Sequence, residues 1–284
     1  MRDLNLRELF ADGAKGASGI FFKAWHAVNP DVWHELGCVS LSAYSLLLPR
    51  REDVFDRPGG PRTPVVLVHG LGGSRGAWWP LRLYLHAHGR KRLYAFGYEG
   101  GSIEEHAGAL VGFVSRVLAV TGEDRVDIVA HSLGGIIARF AIQRLGLASH
   151  IRTLVTLATP HQGTYAAHYA NTDLTRPLRP ESDMIRDLNG DDFASLGVDL
   201  VCVCSDRDIY VVPSEHMAHP DARNLTVRGV SHSQHLISTR VFRLVARTLD
   251  EADGESDAER VTRTRRSTRR RSRTASSELP SFAR

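Results

Sequence analysis

The sequence contains little cysteine, and this scarcity constrains both its redox chemistry and its metal content. Its 284 residues include three cysteines, Cys38, Cys202 and Cys204. Cys202 and Cys204 would lie on the same face of one predicted strand, which is poor geometry for a local disulfide. No histidine spacing beside them indicates zinc. We therefore expect reduced cysteines in the core, as in cytoplasmic proteins, and neither a metal nor a cofactor.

Long apolar runs are also missing. No stretch reaches the roughly 18 uncharged apolar residues of a membrane-spanning helix, and Lys23 interrupts the apolar stretch at residues 20–25. The N-terminus mixes Asp3 and Glu8 with arginines and lacks the continuous apolar core and the cleavage site of a secretory signal. The sequence thus predicts a cytoplasmic protein, with peripheral contact to a membrane as the open alternative.

Short apolar strands alternate with amphipathic helices along most of the chain. The content of 42% hydrophobic and 24% charged residues is sufficient for a full core. The predicted strands cover residues 64–68, 91–96, 125–130, 151–157, 199–204 and 223–230. Helical spacing covers residues 103–120 and 133–145. This alternation predicts an α/β fold with a doubly wound, mostly parallel sheet and with active loops at the carboxyl ends of its strands.

Ser132 lies where one predicted strand, residues 125–130, meets the helix predicted at residues 133–145. Such a turn holds its central residue at positive φ and crowds it between strand and helix, so the neighbouring positions must be small. The neighbours that meet this demand are Ala130, Gly134 and Gly135. We interpret Ser132 as a catalytic nucleophile at a strand-to-helix elbow, since a serine that only caps a helix would need no special neighbours.

Two motifs resemble those of a known family. Residues 130–135, Ala-His-Ser-Leu-Gly-Gly, resemble the nucleophile elbow of small bacterial lipases of the α/β-hydrolase fold, although Ala130 replaces the first glycine of the usual Gly-x-Ser-x-Gly. Residues 69–73, His-Gly-Leu-Gly-Gly, follow an apolar run and resemble the oxyanion loop of such lipases. The resemblance implies that the N–H groups of Leu71 and Leu133 stabilise the oxyanion.

The same resemblance implies which residues border the substrate. The motif Thr-Pro-His-x-Gly-Thr, which begins at Thr159, resembles a segment beside the catalytic pocket of many lipases. The predicted substrate-binding residues are His69, Gly70, His131, Thr159, Pro160 and His161. Roughly thirty-five residues then separate two strands, more than a minimal sheet needs. In this fold such an insertion commonly forms a cap, so we expect residues 161–197 to cover the acyl site; one packed helix with loops is the alternative.

The acid and the base are expected in two later loops, in the chain order Ser, Asp, His. Asp206 and Asp208 follow the fifth predicted strand, and Asp208 fits the Asp-x-x-Val-x-Pro context of the families that this chain resembles. His232 and His235 follow the last predicted strand, where the pattern Gly-Val-x-His favours His232. We predict Asp208 as the acid and His232 as the base, with Asp206 and His235 as the alternatives.

The predicted catalytic domain covers residues 61–252, and the chain on either side differs in kind. Residues 1–60 contain apolar positions at helical spacing, which either pack on the domain or lie along a membrane surface. Residues 253–284 are expected to be disordered, because nine arginines and one glutamate follow from Arg260 onward with few apolar residues. Such a tail would attract an anionic membrane surface or be a solvated extension without a partner. Nothing in it indicates specific recognition of nucleic acid.

These patterns together predict a serine hydrolase that cleaves carboxylic esters of lipids through a Ser-His-Asp triad and an acyl-enzyme. A lipid deacylase, a thioesterase or an acyltransferase would use the same machinery on another acceptor or donor. A hydrolase-like binding module without activity is the alternative from a different class. The complete set of catalytic residue types disfavours that last alternative.

Overall fold

The computed structural model describes residues 62–254 and contains one sheet of six strands. The strands are β1 (Val65–Val68), β2 (Leu93–Phe96), β3 (Val126–His131), β4 (Ile151–Leu157), β5 (Asp199–Ser205) and β6 (Arg223–Val227). Every neighbouring pair is parallel, and the spatial order is β2-β1-β3-β4-β5-β6. The predicted α/β class with a mostly parallel sheet is confirmed. The predictions for residues 1–60 and for the tail beyond residue 254 lie outside the described residues.

Helices cover both faces of the sheet. They are α1 (Trp79–Ala87), α2 (Ile103–Thr121), α3 (Leu133–Arg144), α4 (Asp183–Asn189) and α5 (residues 239–254). Side chains of α2 and α3 form one apolar cluster with one face of the sheet, and side chains of α1 and α5 form a second cluster with the other face. Both faces are therefore buried, which explains why the central strands are continuously apolar rather than alternating.

The strand β1 contributes side chains to both apolar clusters. All four of its residues are fully buried. Because successive side chains of a strand point to opposite faces, Val66 and Val68 join the cluster of α2 and α3, whereas Val65 and Leu67 join the cluster of α1 and α5. A polar residue at any of these positions would be buried without a partner.

The strand order decides where the loops meet. In a parallel sheet all carboxyl ends lie at one edge, and ligands bind there. The loops that follow β1, β3, β5 and β6 carry the predicted oxyanion glycines, the predicted nucleophile, the predicted acid and the predicted base. Four segments that are remote in sequence thus come to the same edge of the sheet.

Helix ends follow local signals in the sequence. Ser102 and Glu105 form a reciprocal capping box at the start of α2, and Gly122 ends that helix with a φ of 70°. Gly146 follows α3 with a φ of 73°, as predicted for a left-handed stop. Glycine is favoured at these two stops because it adopts positive φ without steric cost.

The predicted start of the tail at residue 253 falls inside the helix α5. The helix α5 continues through residue 254, and Asp253 faces the domain. Its carboxylate accepts a hydrogen bond from Arg90 at 2.7 Å and pairs with Arg152 at 2.8 Å. The Arg90 side chain is almost fully buried, so Asp253 supplies a counter-charge that arginine needs inside the protein.

The predicted cap, residues 161–197, contains one short α-helix, α4, and three short 3-10 turns. Its second half is fastened to α3, because Arg144 pairs with Asp187 at 2.7 Å and Arg139 donates to Leu188 O at 2.7 Å. Its first half is joined to the loop after β5, because the Thr164 hydroxyl donates to Tyr210 O at 2.7 Å and Tyr165 N–H donates to Val212 O at 2.9 Å. Within residues 62–254, no helix is both long enough and apolar enough to cross a membrane.

Candidate active site

The backbone of Ser132 adopts the strained conformation that the sequence predicts. Its φ of 52° and ψ of −125° lie outside the regions that residues with a side chain normally occupy. Ser132 is the N-cap residue of α3, yet its side chain accepts no capping hydrogen bond. The alternative of a serine that merely caps a helix is therefore wrong, and the hydroxyl group remains available for other chemistry.

Close packing around this elbow explains the small residues that follow Ser132. A Cβ atom on Gly134 would lie 2.4 Å from His69 O and 2.5 Å from Val68 O, and a Cβ atom on Gly135 would lie 2.1 Å from Thr159 Oγ1. All three separations are shorter than side-chain atoms tolerate. The first turn of α3 thus approaches β1 and the loop after β4 at distances that only glycine permits.

The main chain of Ser132 is held on both sides. Its N–H group donates to Leu157 O at 2.9 Å. Its carbonyl oxygen accepts from Gly135 N–H at 3.0 Å and from the Thr159 hydroxyl at 3.0 Å. These bonds offset the cost of the unusual φ and ψ, which only surrounding structure can maintain.

The loop after β1 lies directly over the elbow. A Cβ atom on Gly70 would lie 2.9 Å from Ser132 Cβ, and the turn closes through a hydrogen bond from Gly73 N–H to Gly70 O at 3.1 Å. Leu71 lies inside this turn. Leu133 is the first residue of α3, where an N–H group has no acceptor within the helix. The two predicted oxyanion donors therefore lie on the two segments that meet at Ser132.

Tyr98 fixes the start of the glycine-rich loop that follows β1. Its hydroxyl donates to His69 O at 2.8 Å, and its ring stacks on the His69 ring at 4.2 Å between centroids. Burial holds the pKa of His69 below its ordinary value, so this histidine is mainly neutral at neutral pH. The stacked pair gives a rigid base to the glycine-rich turn that follows.

Asp208 and His232 form a direct pair. Asp208 Oδ2 lies 2.6 Å from His232 Nδ1, and Asp208 Oδ1 accepts hydrogen bonds from the N–H groups of Tyr210 and Val211, both at 2.8 Å. Burial by itself raises the pKa of this fully buried carboxyl. The opposite effects of His232 and of the Val211 amide are larger, so the pKa of Asp208 lies below its ordinary value. Asp208 is therefore ionised at neutral pH.

The alternative acid, Asp206, points elsewhere. It is exposed, and its carboxylate accepts a hydrogen bond from Gly229 N–H at 2.6 Å. This bond joins the loop after β5 to the turn that precedes His232. The structure therefore brings Asp208, and not Asp206, to the histidine.

The alternative base, His235, is fully buried and does not line the cavity described below. Its Nδ1 lies 3.0 Å from Ser231 O and 3.2 Å from His232 O, and burial lowers its pKa. His232 does line the cavity, and Asp208 engages its Nδ1. When Nδ1 carries the proton, Nε2 is the acceptor nitrogen of a neutral imidazole, which is the state that a general base requires.

A cavity of about 590 Å³ opens at this edge of the sheet. Ser132 and His232 both line it, and so do Leu71 and Leu133. The lining residues that the sequence had predicted to border the substrate are His69, Gly70, His131 and Pro160. The predicted nucleophile, the predicted base and the two residues with the predicted amide donors thus line one concave site.

Comparison with known proteins assigns the domain. Residues 62–243 match the family model described as Lipase (class 2), which is more than half of the chain. The chain belongs to the class 2 lipase family. The matched region begins just before β1 and ends within α5, so it contains every element of the site.

Curated relatives agree with this class 2 lipase assignment. A triacylglycerol lipase of Pseudarthrobacter phenanthrenivorans is 30% identical over 46% of this chain and 43% of its own length. A triacylglycerol lipase of Burkholderia plantarii is also 30% identical, over 46% of this chain and 38% of its own length. The chain therefore matches less than half the length of either relative.

Solved structures agree with the fold. A mature lipase of Bacillus licheniformis has a TM-score of 0.60 at 17% identity and covers 69% of this chain and 96% of its own. Lipase B of Aspergillus fumigatus has a TM-score of 0.58 at 16% identity, over 71% of this chain and 55% of its own. At these identities the likeness establishes the α/β-hydrolase fold.

Two of the predicted substrate-binding residues do not line the cavity of this lipase domain, and the prediction for them is corrected. Thr159 directs its hydroxyl to the backbone of Ser132. His161 is fully buried beneath the site, where its Nε2 lies 2.9 Å from Thr156 Oγ1 and 3.2 Å from Cys202 Sγ. After the turn at Pro160 the chain enters the core. The motif that begins at Thr159 does not by itself specify this path.

Much of the apolar wall of the cavity was not predicted from the sequence. Residues from the first half of the predicted cap line the cavity: Thr164, Ala166, Ala167, Tyr169, Ala170, Thr175 and Leu178. The apolar and aromatic content of that segment indicated that it would line the cavity. It did not indicate which of its residues would face the cavity. Tyr210 was also missed; its ring centroid lies 5.0 Å from that of His232.

Several buried histidines surround the site. In the part of the chain that the structure describes, no group of three or more His, Cys, Asp or Glu side chains could hold a metal ion. Cys202 and Cys204 are free and buried, and burial raises the pKa of the Cys202 thiol to about 12. Neither thiol has the lowered pKa of a reactive cysteine.

Proposed function

We propose that this class 2 lipase-family protein hydrolyses carboxylic esters of lipids, with Ser132 as nucleophile, His232 as base and Asp208 as the orienting acid. The observation that carries the proposal is the 2.6 Å contact between Asp208 and His232, with His232 lining the same cavity as the strained Ser132. Membership of a lipase family and the two triacylglycerol lipase relatives support the choice of substrate class.

In the acylation step, Ser132 Oγ attacks the ester carbonyl carbon while His232 Nε2 removes the hydroxyl proton. Asp208 holds the imidazole by its Nδ1–H and stabilises the imidazolium that forms. The carbonyl oxygen becomes an oxyanion, which the N–H groups of Leu71 and Leu133 stabilise. These donors are fixed before reaction, which is why such groups lower the barrier efficiently.

Collapse of the tetrahedral intermediate breaks the bond between the carbonyl carbon and the alcohol oxygen. His232 returns its proton to that oxygen, so the alcohol leaves and the acyl group remains on Ser132. Water then attacks the acyl carbon while His232 removes one of its protons. The bond between the acyl carbon and Ser132 Oγ breaks, His232 returns the proton to Ser132 Oγ, and the carboxylic acid is released.

The cavity supports an acyl substrate. Its volume of about 590 Å³ falls within the range of ligand pockets. One wall consists mainly of short or apolar side chains from residues 164–178, and Leu236 and Val211 add further apolar surface. We propose that the acyl chain lies along this wall, since burial of each methylene is favourable by roughly 0.8 kcal/mol.

Labelling with a fluorophosphonate tests the proposed nucleophile, because the reagent phosphonylates an activated serine. We expect the wild-type chain to be labelled, Ser132→Ala to lose the label, and Ser115→Ala to keep it. Ser115 is a suitable control because it is exposed on α2, where its hydroxyl donates to Val111 O at 2.9 Å. A folded wild-type protein that is not labelled would refute the catalytic proposal.

Turnover of p-nitrophenyl esters of increasing chain length tests the substrate class. We expect hydrolysis to depend on Ser132 and to be retained for acyl chains long enough to contact the apolar wall. If only thioesters were turned over, or if acyl groups were transferred to an alcohol in preference to water, the same serine would serve a thioesterase or an acyltransferase instead.

A further inference from the structure

The main-chain carbonyl of His232 is a shared acceptor for two histidine side chains. His131 Nε2 lies 3.2 Å from this oxygen, and His235 Nδ1 also lies 3.2 Å from it. The two rings come from different elements, because His131 is the last residue of β3 and His235 belongs to the 3-10 turn Ser233–Leu236. His131 is thus the contact that joins the base to the strand of the nucleophile.

The strand order shows why such a contact matters. β6, which precedes His232, is separated from β3, which precedes Ser132, by β4 and β5. Three strand spacings amount to roughly 14 Å at about 4.8 Å each. The loop that carries His232 must therefore extend across two strands to reach the nucleophile. Asp208, on the loop after β5, holds the ring of His232 from the intervening part of the sheet.

The protonation state of His131 follows from its partners. A carbonyl oxygen only accepts, so Nε2 of His131 carries the proton and Nδ1 does not. Gly70 packs against that Nδ1, since a Cβ atom there would lie 3.0 Å from it. The ring is 5% exposed, and its centroid lies 4.7 Å from that of His232. Burial and the neighbouring His232 hold the pKa of His131 well below its ordinary value, so it is a neutral donor at neutral pH.

We propose that His131 is a positioning residue, which ties the carbonyl of His232 to the nucleophile elbow and so sets the distance between base and nucleophile. The proposal rests on the roles proposed above for Ser132 and His232. His131 precedes Ser132 in the chain, so a single side chain links both partners of the proton transfer. Because that transfer requires hydrogen-bond distance, a small displacement of the His232 loop lowers kcat without weakening substrate binding.

Two substitutions of His131 distinguish the effect of its hydrogen bond from the effect of its aromatic ring. His131→Phe keeps an aromatic ring but removes the donor, whereas His131→Gln keeps an N–H donor. His219→Gln is the matched control, because His219 is 3% exposed and is bonded at Asp221 and Asn224, away from His232. The measurements are kcat and KM for p-nitrophenyl butyrate, the thermal unfolding midpoint, and the downfield proton resonance of the hydrogen bond between His232 and Asp208.

We expect His131→Phe to lower kcat roughly 10- to 100-fold, as for a misplacement of up to about 1 Å, with KM changed little. His131→Gln should recover part of that loss, and His219→Gln should leave kcat unchanged. The downfield resonance should shift or broaden in His131→Phe and be retained in His131→Gln.

The proposal is overturned if His131→Phe keeps its kcat, if both substitutions lower kcat equally, or if only KM rises. A rise in KM alone would make His131 a substrate contact. If the wild-type chain neither turns over esters nor reacts with a fluorophosphonate, the proposed function fails. The resonance of the Asp208–His232 pair then still decides whether His131 holds His232 in place.

Discussion

An Asp208→Asn variant keeps the shape of the buried carboxylate but converts one of its acceptor atoms into a donor. The orientation of the new amide follows from the structure. Two backbone N–H groups, those of Tyr210 and Val211, both donate to Oδ1 at 2.8 Å. The amide oxygen must stay at that position, because an NH₂ group there would face two other donors. The NH₂ group is therefore forced toward His232 Nδ1.

This orientation reverses the tautomer of His232. With a donor facing it, Nδ1 must accept, so the proton of the neutral imidazole moves to Nε2. The ring then has no lone pair at Nε2 with which to remove a proton from Ser132. In serine proteases with a Ser-His-Asp triad the same change lowers kcat about 10⁴-fold, which corresponds to about 5.4 kcal/mol in the activation free energy. We expect a loss of this size, with KM changed little.

The assay is kcat for p-nitrophenyl butyrate, combined with the rate of fluorophosphonate labelling of Ser132. Asp206→Asn is the matched control, since its amide oxygen can still accept from Gly229 N–H, and we expect its kcat to stay near that of the wild type. A kcat of Asp208→Asn within tenfold of the wild type would refute the tautomer argument. Loss of activity in Asp206→Asn alone would place the acid at Asp206.

Three further predictions concern packing, the base and pH. Gly134→Ala should destabilise the domain by about 1–3 kcal/mol, because its Cβ would collide with His69 O. The control Gly108→Ala, whose Cβ would lie in open space on α2, should stabilise the domain by about 0.5–1 kcal/mol. Equal midpoints of urea unfolding for the two variants would contradict the packing argument. His232→Ala should lower kcat on the order of 10⁶-fold, and retention of most activity would assign the base to His235. Burial holds the pKa of His161 well below its ordinary value of 6.5, so the unfolded chain binds a proton that the folded chain excludes. The free energy of unfolding should therefore fall as pH drops below 6.5, and His161→Gln should reduce that slope by up to about 1.4 kcal/mol per pH unit; an unchanged slope in urea titrations would refute the burial argument.

Local patterns in the sequence predicted some elements of the fold closely, although they did not predict the helices α1 and α5. The strands β1 and β4 and the helix α3 each begin or end within one residue of the predicted bounds. These elements are specified by continuous apolar runs, by apolar residues at helical spacing and by glycine stops, which act over a few neighbours. The positive φ of Ser132 was predictable for the same reason, because the small residues beside it are adjacent in the chain.

Long-range geometry was not predictable from these patterns. Asp206 and Asp208 are two residues apart and chemically identical, and only the path of the loop brings Asp208 to 2.6 Å from His232 and Asp206 to Gly229 N–H. The burial of His161 likewise depends on how the chain turns into the core after Pro160. The Asp-x-x-Val-x-Pro context favoured Asp208 through a family resemblance, whereas the burial of His161 was not predicted.

The sequence by itself determined the strand-turn-helix at Ser132, the glycine-rich loop before it and the alternation that makes a parallel sheet, since each is set by local sterics and by apolar periodicity. The tertiary structure decided which acid meets which histidine, which wall encloses the cavity, and that His131 reaches the carbonyl of His232. These contacts join the end of β3 and the loops after β4, β5 and β6, which are far apart in sequence. They come together only because parallel strands present all their carboxyl ends at one edge of the sheet.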